Sequence, residues 1–237
     1  MKGKLYGIGV GPGDPEMITL RAKRIMDESE IIAYPVRVKD ERSVALDIIS
    51  NVLDLEKKTL LEVVFSMDPD VNVRKGTREK ALESICSILD SGKNVAMVTL
   101  GDVTFYSTYM RIDEKIKSLG YQTELVPGIT SFSNGAAKAG MSLALGNEFL
   151  AIVPALIDSV IVGKTLESFD NVVIMKAFNS IPDIGRMMDE RGIDRSCGTV
   201  ISCIGMDDEY IGPIDPDRKY GYFTTVLIKK EKGGGSS

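Results

Sequence analysis

Three glycine-rich segments, each placed directly after an apolar run, constrain this 237-residue chain more than any other feature. They are Gly9-Val-Gly-Pro-Gly-Asp14, Leu100-Gly-Asp102 and Val126-Pro-Gly-Ile-Thr-Ser131. The preceding runs, at residues 5–10, 95–100 and 121–126, predict β-strands, and a helical pattern follows each segment. Ligands of open parallel sheets bind at the carboxyl ends of the strands. The three segments therefore predict one crevice for a small molecule.

Strand-like and helix-like patterns alternate along almost the whole chain, which is typical of an α/β fold. Further strands are predicted at residues 31–34, 59–63, 148–153, 171–176, 198–203 and 221–229. Helices are predicted at residues 15–27, 41–53, 68–91, 107–119, 131–140, 159–167 and 181–191. Asp14 is expected to cap the first helix and Pro15 to begin it. The Pro127-Gly128 pair predicts a boundary between two α/β domains, residues 1–126 and 127–231, and residues 232–237 have the composition of a disordered tail.

The chain contains no histidine. This absence excludes His-dependent catalytic triads and the common zinc sites, so we expect no protein-bound metal. A general base, if the chemistry needs one, must be a carboxylate, a tyrosine, a lysine, the cofactor or the substrate.

The formal net charge of −5 argues against a nucleic-acid-binding protein, which usually has a basic excess. No apolar run approaches the roughly 20 residues that cross a bilayer, and the first residues do not resemble a secretory signal. We therefore expect a cytoplasmic protein that binds neither nucleic acid nor membrane. Cys86, Cys197 and Cys203 form no CxxC motif, so we expect each to be a buried, reduced thiol.

The glycine segments do not match the common phosphate-binding loops. Asp14 stands where a dinucleotide-binding turn would have its third glycine, and Pro12 lacks a backbone N–H that a phosphate would use. A ligand without phosphate, such as an adenosine joined to an amino acid, fits better. Asp102 is then a candidate acceptor for a hydroxyl or ammonium group, and a helix cap or turn residue is the other interpretation.

The same segments resemble the motifs of a known family. The stretch Gly9-Val-Gly-Pro-Gly-Asp-Pro-Glu-Met-Ile-Thr-Leu-Arg-Ala22 is similar to the opening signature of the tetrapyrrole (corrin/porphyrin) methyltransferases, which use S-adenosylmethionine. The second and third segments are similar to the next two family motifs. Phe105-Tyr-Ser-Thr108, Ser131-Phe-Ser-Asn134 and Tyr222-Phe-Thr-Thr-Val-Leu-Ile228 most resemble the branch that methylates C20 of precorrin-2 or its cobalt form. Val103 replaces the usual proline of the second motif, which should relax that turn.

The resemblance implies two α/β domains with the cofactor in a cleft between them. The residues it matches to cofactor-binding positions are Pro12, Leu100, Gly101, Asp102, Phe105, Thr130, Ser131, Met175, Gly205 and Thr225. Met175 would border the adenine, and Asp102 the ribose or methionine end. Without the family, Met175 is equally well a core methionine and Thr225 an ordinary strand threonine.

The substrate class implied by the family carries many carboxylates, for which arginine and lysine are suited partners. Candidate substrate-binding residues are Arg37, Lys39, Arg42 and Tyr106, with a second basic cluster at Arg74, Lys75 and Arg78. No catalytic residue is assigned. A proton can leave to Tyr34, to Tyr106, to a carboxylate or to the nitrogens of the macrocycle.

The function implied is methyl transfer from S-adenosylmethionine to C20 of precorrin-2 or cobalt-factor II in cobalamin biosynthesis, with S-adenosylhomocysteine as product and a slight preference for the cobalt form. Alternatives are a methyltransferase of the same fold that acts on another corrin carbon, on uroporphyrinogen or on a diphthamide precursor. An NAD-binding oxidoreductase and a non-catalytic binding protein are more distant alternatives. The family also implies a homodimer.

Overall fold

The computed structural model describes residues 1–155 and 159–230 and divides the chain into two compact units, Met1–Thr130 and Ser131–Ser237. The division falls inside the third glycine-rich segment. The predicted disordered tail, residues 232–237, lies outside the described residues. Both units are layered α/β structures, so the predicted fold class is confirmed.

The first unit is built on a five-stranded parallel sheet. Its strands, in chain order, are β1 (Lys4–Gly9), β2 (Ile31–Val36), β3 (Thr59–Val64), β4 (Val95–Thr99) and β5 (Gln122–Val126). Their order across the sheet is β3-β2-β4-β1-β5. Strand β1 pairs with β4 on one side and β5 on the other, with Ile8 opposite Val98 and Val126. The three strands that precede the glycine segments are therefore direct neighbours.

Helices cover both faces of this sheet. They are α1 (Leu20–Glu28), α2 (Val44–Ser50), α3 (Val71–Asp90) and α4 (Tyr109–Ser118). Alternate residues of each strand point to opposite faces. One face buries α1 and α2 against residues such as Ile8 and Ala96, and the other buries α3 and α4 against residues such as Leu5 and Met97.

This arrangement places a topological switch point between β1 and β4. The chain leaves β1 toward α1 on one face of the sheet and leaves the neighbouring β4 toward α4 on the other face. The two connections leave toward opposite faces of the sheet, an arrangement that typically forms a ligand site at the carboxyl ends of the strands. The first two glycine segments begin at this point.

The second unit carries a mixed five-stranded sheet. Its strands are β6 (Leu150–Pro154), β7 (Asn171–Met175), β8 (Gly198–Ser202), β9 (Tyr210–Pro213) and β10 (Thr224–Lys229), in the order β6-β7-β10-β8-β9. Strand β10 is antiparallel to both β7 and β8. The carboxyl ends of β7 and β8 therefore flank the start of β10 at one edge.

Three helices cover the second sheet: α5 (Ser131–Lys138), α6 (Ser159–Ser168) and α7 (Ile181–Asp189). Phe132 and Ala136 of α5 pack on one face, and α6 and α7 bury side chains such as Leu166 and Ile184 on the other. Gly135 lets α5 lie close to the sheet, because a Cβ there would come within 2.3 Å of a side-chain carbon of Ile201.

The structure corrects several sequence predictions. The helix predicted at residues 15–27 is broken into a 3-10 turn, Pro15–Met17, and α1, because Ile18 and Thr19 are extended. Asp14 caps only the turn, and the Thr19 hydroxyl caps α1. Strand β10 begins three residues later than predicted, and β9 was not predicted.

The three cysteines differ in burial. Cys203 is buried, but Cys86 and Cys197 are only half-buried, so the prediction of a buried thiol is wrong for these two. All three thiols are free. Among the described residues, no helix is long and apolar enough to span a membrane.

Candidate active site

Backbone hydrogen bonds join the first two glycine segments at the switch point. The N–H of Gly11 donates to the carbonyl of Gly101 at 3.2 Å, and the N–H of Gly101 donates to the carbonyl of Gly11 at 2.7 Å. This pair is an isolated antiparallel bridge just beyond the parallel β1–β4 ladder, and Val10 also donates to the carbonyl of Thr99. The two loops are therefore fixed relative to each other.

The glycines of these segments serve two different purposes. A Cβ on Gly128 would lie 2.3 Å from the carbonyl oxygen of Gly101, and a Cβ on Gly9 would lie 2.7 Å from the same atom. Gly9 and Gly128 are therefore needed for the close approach of protein backbones. Gly101 differs, because it has φ +72° and a Cβ there would meet only the carbonyl of Ile129, at 4.0 Å. The space beside Gly101 is open to a ligand.

Asp102 ties the second segment to the third. One carboxylate oxygen accepts the backbone N–H of Gly128 at 2.9 Å, and the other accepts the backbone N–H of Thr104 at 2.8 Å as well as its hydroxyl. Burial raises the pKa of Asp102, but the hydrogen bonds from Thr104, Gly128 and Val103 outweigh that effect and lower the pKa below its ordinary value. The carboxylate is thus ionised and oriented.

The chain after Asp102 turns from the core to the surface within four residues. Val103 is fully buried in the core with α3 and α4, so the residue that replaces the family's proline contributes apolar packing. Phe105 and Tyr106 are exposed and pack edge to face, with ring centroids 5.6 Å apart. Tyr106 has φ 49°, a left-handed conformation that costs about 1–2 kcal/mol in a residue with a side chain.

The remaining matched residues of this unit lie close in sequence to these loops. Pro12 is buried next to Gly11, and Leu100 is half-buried against the core under α1 and α2. Thr130 is half-buried at the end of the third segment. Ser131, the first residue of the second unit, is half-buried at the start of α5. The structure thus gathers Pro12, Leu100, Gly101 and Asp102 around the switch point.

Two matched residues of the second unit, Met175 and Thr225, lie opposite each other where β7 ends and β10 begins. Thr225 pairs with Met175 on one side and with Ile201 on the other. The N–H of Ala177 donates to the carbonyl of Thr224, and the N–H of Cys203 donates to the carbonyl of Phe223, both at 2.9 Å. These bonds hold the three strand ends together.

Two residues with strained backbone conformations lie at this end of the sheet. Lys176, directly after β7, has φ 59°, and Cys203, directly after β8, has φ 51°. Such strain persists where the surrounding structure enforces it and is concentrated at functional sites. Gly221 makes room for the Cys203 thiol, because a Cβ there would lie 2.4 Å from its sulfur.

Gly205 and Thr225 offer a ligand less than the sequence suggests. The N–H of Gly205 donates to the carboxylate of Glu209 at 2.6 Å, and that carboxylate also pairs with Lys138. The N–H of Gly205 is therefore already occupied within the protein. Thr225 is only 4% exposed, and Met175 is half-buried against the core under α5.

The basic residues predicted to bind substrate carboxylates are exposed, and two of them form salt bridges within the protein. Arg37 forms a salt bridge with Glu41, which also accepts the backbone N–H groups of residues 37 and 38. These bonds, led by the Arg37 guanidinium, lower the pKa of Glu41 to about 2. Arg42 pairs with Asp47 at 2.7 Å while 83% of its side chain remains exposed. Lys39 lies exposed in the same loop.

In the second basic cluster, Arg74 and Lys75 interact with groups close to them in the sequence, in α3 and in the loop before it. Arg74 donates to the carbonyls of Asp68 and Pro69, and Lys75 lies near Glu79. Arg74 therefore closes the loop before α3, a role that the sequence alone does not indicate.

Tyr34 is a poor candidate for the proton acceptor. It lies half-buried on β2, directly beside Glu62 of β3. Burial, reinforced by the carboxylates of Glu62 and Asp40, raises the pKa of Tyr34. The phenol is thus protonated at neutral pH and can donate a hydrogen bond but not readily accept a proton.

Among the residues that the structure describes, no group of three or more Cys, Asp or Glu side chains is placed to hold a metal ion.

Two features of the site were not predicted from the sequence. They are the hydrogen bond from Gly128 to Asp102 and the left-handed conformation of Lys176. Neither leaves a sequence signal, because each depends on contacts between distant segments.

The fold and its strand-end residues define a class: α/β proteins whose small-molecule site is formed by loops at the carboxyl ends of strands. The family model of the Tetrapyrrole (Corrin/Porphyrin) Methylases matches residues 4–214, and the chain belongs to this family. It is 29% identical over 235 residues to a cobalt-precorrin-2 C(20)-methyltransferase of Salmonella typhimurium, with 98% of each chain covered. It is 36% identical over 176 residues to a probable cobalt-precorrin-2 C(20)-methyltransferase of Methanocaldococcus jannaschii, covering 74% of this chain and 73% of that one.

A solved structure supports the same fold. The uroporphyrin-III C-methyl transferase of Thermus thermophilus, complexed with S-adenosylhomocysteine, superimposes with a TM-score of 0.69 at 17% identity. The match covers 95% of this chain and 97% of that chain.

Proposed function

We propose that this protein transfers a methyl group from S-adenosylmethionine to C20 of precorrin-2, in the cobalt-containing form, during cobalamin biosynthesis. The observation that carries the proposal is the end-to-end similarity to a relative named for that reaction, in a chain whose family motifs lie at the switch point of its sheet. A methyltransferase of the same fold with another tetrapyrrole carbon as target is the second candidate.

Within the first unit, the open backbone at Gly101 and the fixed carboxylate of Asp102 fit the methyl donor. A carboxylate that is already ionised and held by two backbone N–H groups can accept from a hydroxyl or an ammonium without reorganising. Pro12, Leu100, Phe105 and Thr130 would complete this set. Ser131, Met175, Gly205 and Thr225 of the second unit are proposed to bind the same molecule.

The bound cofactor would supply an electrophilic methyl group, so the protein need not activate it. The protein's part is to hold the donor and an electron-rich substrate carbon in line, and proximity and orientation account for much of the rate of such reactions. The chain presents no histidine, and the Tyr34 phenol is held protonated. We therefore assign no protein residue as base and propose that the nitrogens of the macrocycle take part in redistributing the proton.

For the substrate, the proposal uses the exposed cations of the loop after β2. Arg37 and Arg42 are exposed and pair with Glu41 and Asp47, and the exposed Lys39 lies between them in the sequence. Tyr106 is an additional candidate contact. A cytoplasmic location and a homodimer complete the proposal, the latter testable by sedimentation.

The experiment is a paired assay on the purified protein. Calorimetric titration with S-adenosylhomocysteine tests cofactor binding, and incubation with labelled S-adenosylmethionine and either precorrin-2 or cobalt-precorrin-2 tests transfer. We expect saturable binding and faster transfer to the cobalt form. Absence of S-adenosylhomocysteine binding would contradict the methyltransferase proposal, and protection from heat by NAD instead would favour an oxidoreductase.

A further inference from the structure

The side chain of Glu209 closes the loop between β8 and β9 of the second unit. One oxygen of its carboxylate accepts both the backbone N–H of Gly205, at 2.6 Å, and the ammonium group of Lys138, at 2.7 Å. Lys138 lies in the last turn of α5, 71 residues before Glu209 in the chain. We call these three residues the Glu209 link. The link joins the loop to a helix that packs on the same sheet.

The backbone of this loop is tightly turned. Cys203 and Gly205 both have left-handed conformations, with φ 51° and φ 74°. The N–H of Met206 donates to the carbonyl of Cys203, and the N–H of Glu209 donates to the carbonyl of Met206, so two turns follow each other. The Glu209 side chain then reaches back four residues to Gly205. Because a glycine can adopt many backbone conformations, this bond selects one of them for the loop.

The loop lies at the end of the second sheet that carries the matched residues. Ser202 ends β8 and lies opposite Thr224 of β10. The next residue of β10, Thr225, lies opposite Met175 at the end of β7. Ile204 of the loop is buried in the same apolar cluster that Met175 packs against. The loop is therefore anchored beside the residues that are proposed to bind the cofactor.

The charges of the link fix the loop more than they stabilise the fold. Burial raises the pKa of Glu209, but the Gly205 N–H and the Lys138 ammonium outweigh burial and lower the pKa below its ordinary value. The carboxylate is thus ionised at neutral pH. The side chains of Lys138 and Glu209 are 35% and 30% exposed, and water competes with ion pairs of this kind, so they add little to the free energy of unfolding.

The opposite end of the same sheet carries a chemically similar arrangement. The carboxylate of Glu148 accepts the backbone N–H of Leu145 at 2.9 Å and the ammonium group of Lys229 at 3.1 Å, and Asn171 also donates to it. Lys229 and Asn171 lie opposite each other at the ends of β10 and β7 that are farther from Met175. The two arrangements share their chemistry and differ in position, so Glu148 provides a matched control.

We propose that Glu209 is a positioning residue for the second unit's part of the cofactor site, and that Lys138 holds its carboxylate in place. The N–H of Gly205 is occupied within the protein, so this glycine serves the cofactor through the shape of its loop and not through that donor. The inference rests on the proposed function. It adds two charged residues that the sequence did not single out.

The test uses three variants of the Glu209 link and one control. Glu209→Ala removes both interactions, and Glu209→Gln keeps an acceptor oxygen for Gly205 but loses the negative charge. Lys138→Met removes only the ammonium group, and Glu148→Gln is the control at the other end of the sheet. Calorimetry gives the Kd for S-adenosylhomocysteine, and thermal unfolding gives the melting temperature of each protein.

We expect Glu209→Ala to weaken S-adenosylhomocysteine binding by about tenfold, and Glu209→Gln and Lys138→Met by about threefold, with melting temperatures close to that of wild type. Lys138→Met should have no further effect in the Glu209→Ala background, because the interaction that it removes is already absent. Glu148→Gln should lower the melting temperature and leave the Kd within about twofold. In steady-state assays of Glu209→Ala, the KM for S-adenosylmethionine should rise while the KM for the tetrapyrrole stays unchanged.

Each contrary result is distinct. Wild-type protein that binds no S-adenosylhomocysteine would overturn the proposed function and this inference together. Binding by wild type with an unchanged Kd in Glu209→Ala would overturn the inference alone. Equal weakening in Glu209→Ala and Glu148→Gln would assign the effect to general destabilisation and also overturn it. Independent, additive effects of Lys138→Met and Glu209→Ala would overturn the role of Lys138.

Discussion

The carboxylate of Asp102 accepts the backbone N–H of Gly128, 26 residues further along the chain, at 2.9 Å. The Gly11–Gly101 pair joins the first glycine segment to the second, and this bond joins the second to the third. These two links together fix the relative positions of the three loops, and an ionised side chain makes one of them. We therefore propose Asp102 as a positioning residue for the cofactor site as well as a contact for the cofactor.

Replacement of Asp102 should separate these loops. In Asp102→Asn a single carboxamide oxygen cannot serve both Gly128 and Thr104, so one of these N–H groups loses a charged acceptor, at a cost of about 1–3 kcal/mol. We expect a lower melting temperature and at least about tenfold weaker S-adenosylhomocysteine binding by calorimetry. Asp194→Ala, which removes a comparable cap from Ser196 in the second unit, should leave the Kd unchanged. Equal loss of binding in both variants would argue against the positioning role.

Gly101 and Gly120 form a matched pair for the open space at the site. Both have a left-handed φ, +72° and +82°, and a Cβ on either would meet no atom closer than 4.0 Å. Alanine at either position should therefore cost about 1 kcal/mol of unfolding free energy. Only Gly101→Ala should also weaken S-adenosylhomocysteine binding, since Gly120 follows α4. Unchanged binding by Gly101→Ala would show that the ligand does not approach this backbone.

Gly7 is required by packing rather than by conformation. A Cβ at Gly7 would lie 2.1 Å from the ring of the fully buried Tyr109. Gly7→Ala should thus destabilise the first unit by about 1–3 kcal/mol through overpacking. Gly76→Ala, in α3 with nothing within 4 Å, should instead stabilise by about 0.5–1 kcal/mol. Chemical denaturation of both variants measures these opposite changes in the free energy of unfolding. An unchanged free energy of unfolding in Gly7→Ala would contradict the tight packing of Gly7 against Tyr109.

Glu148 makes the stability of the protein depend on pH in the acid range. Hydrogen bonds from Asn171, the Leu145 N–H and Lys229 lower its pKa from 4.5 to about 2. A carboxylate with a lowered folded-state pKa stabilises the protein above its unfolded pKa, and this contribution is lost as the pH falls through the folded value. The melting temperature of wild type should fall between about pH 4.5 and pH 2, and Glu148→Gln should flatten that part of the profile. The control variant Glu83→Gln, at an exposed residue, should leave this part of the profile unchanged. Identical profiles for all three proteins would contradict the role of Glu148.

Much of the fold follows from the sequence because local periodicity determines it. The apolar runs of β1, β4 and β5 alternate between the two helical layers, and a left-handed glycine, Gly92 or Gly120, follows the end of α3 and of α4. The first helix was misplaced, because two competing caps, Asp14 and Thr19, lie five residues apart and the structure uses both.

The site was less predictable for a physical reason. Whether Arg37 pairs with Glu41, or Asp102 with Gly128, depends on distances that no spacing rule supplies. The family motifs pointed to candidate residues, but they did not reveal that Gly9 and Gly128 pack backbone against backbone while Gly101 faces open space.

The most direct measurement is the position of the transferred methyl group. The protein should be incubated with S-adenosylmethionine labelled with carbon-13 in its methyl group and with cobalt-precorrin-2, and the product examined by NMR. We predict one enriched methyl signal, attached to C20 of the macrocycle. An enriched methyl at any other carbon, or no enrichment under conditions where S-adenosylhomocysteine binds, would contradict the proposed function.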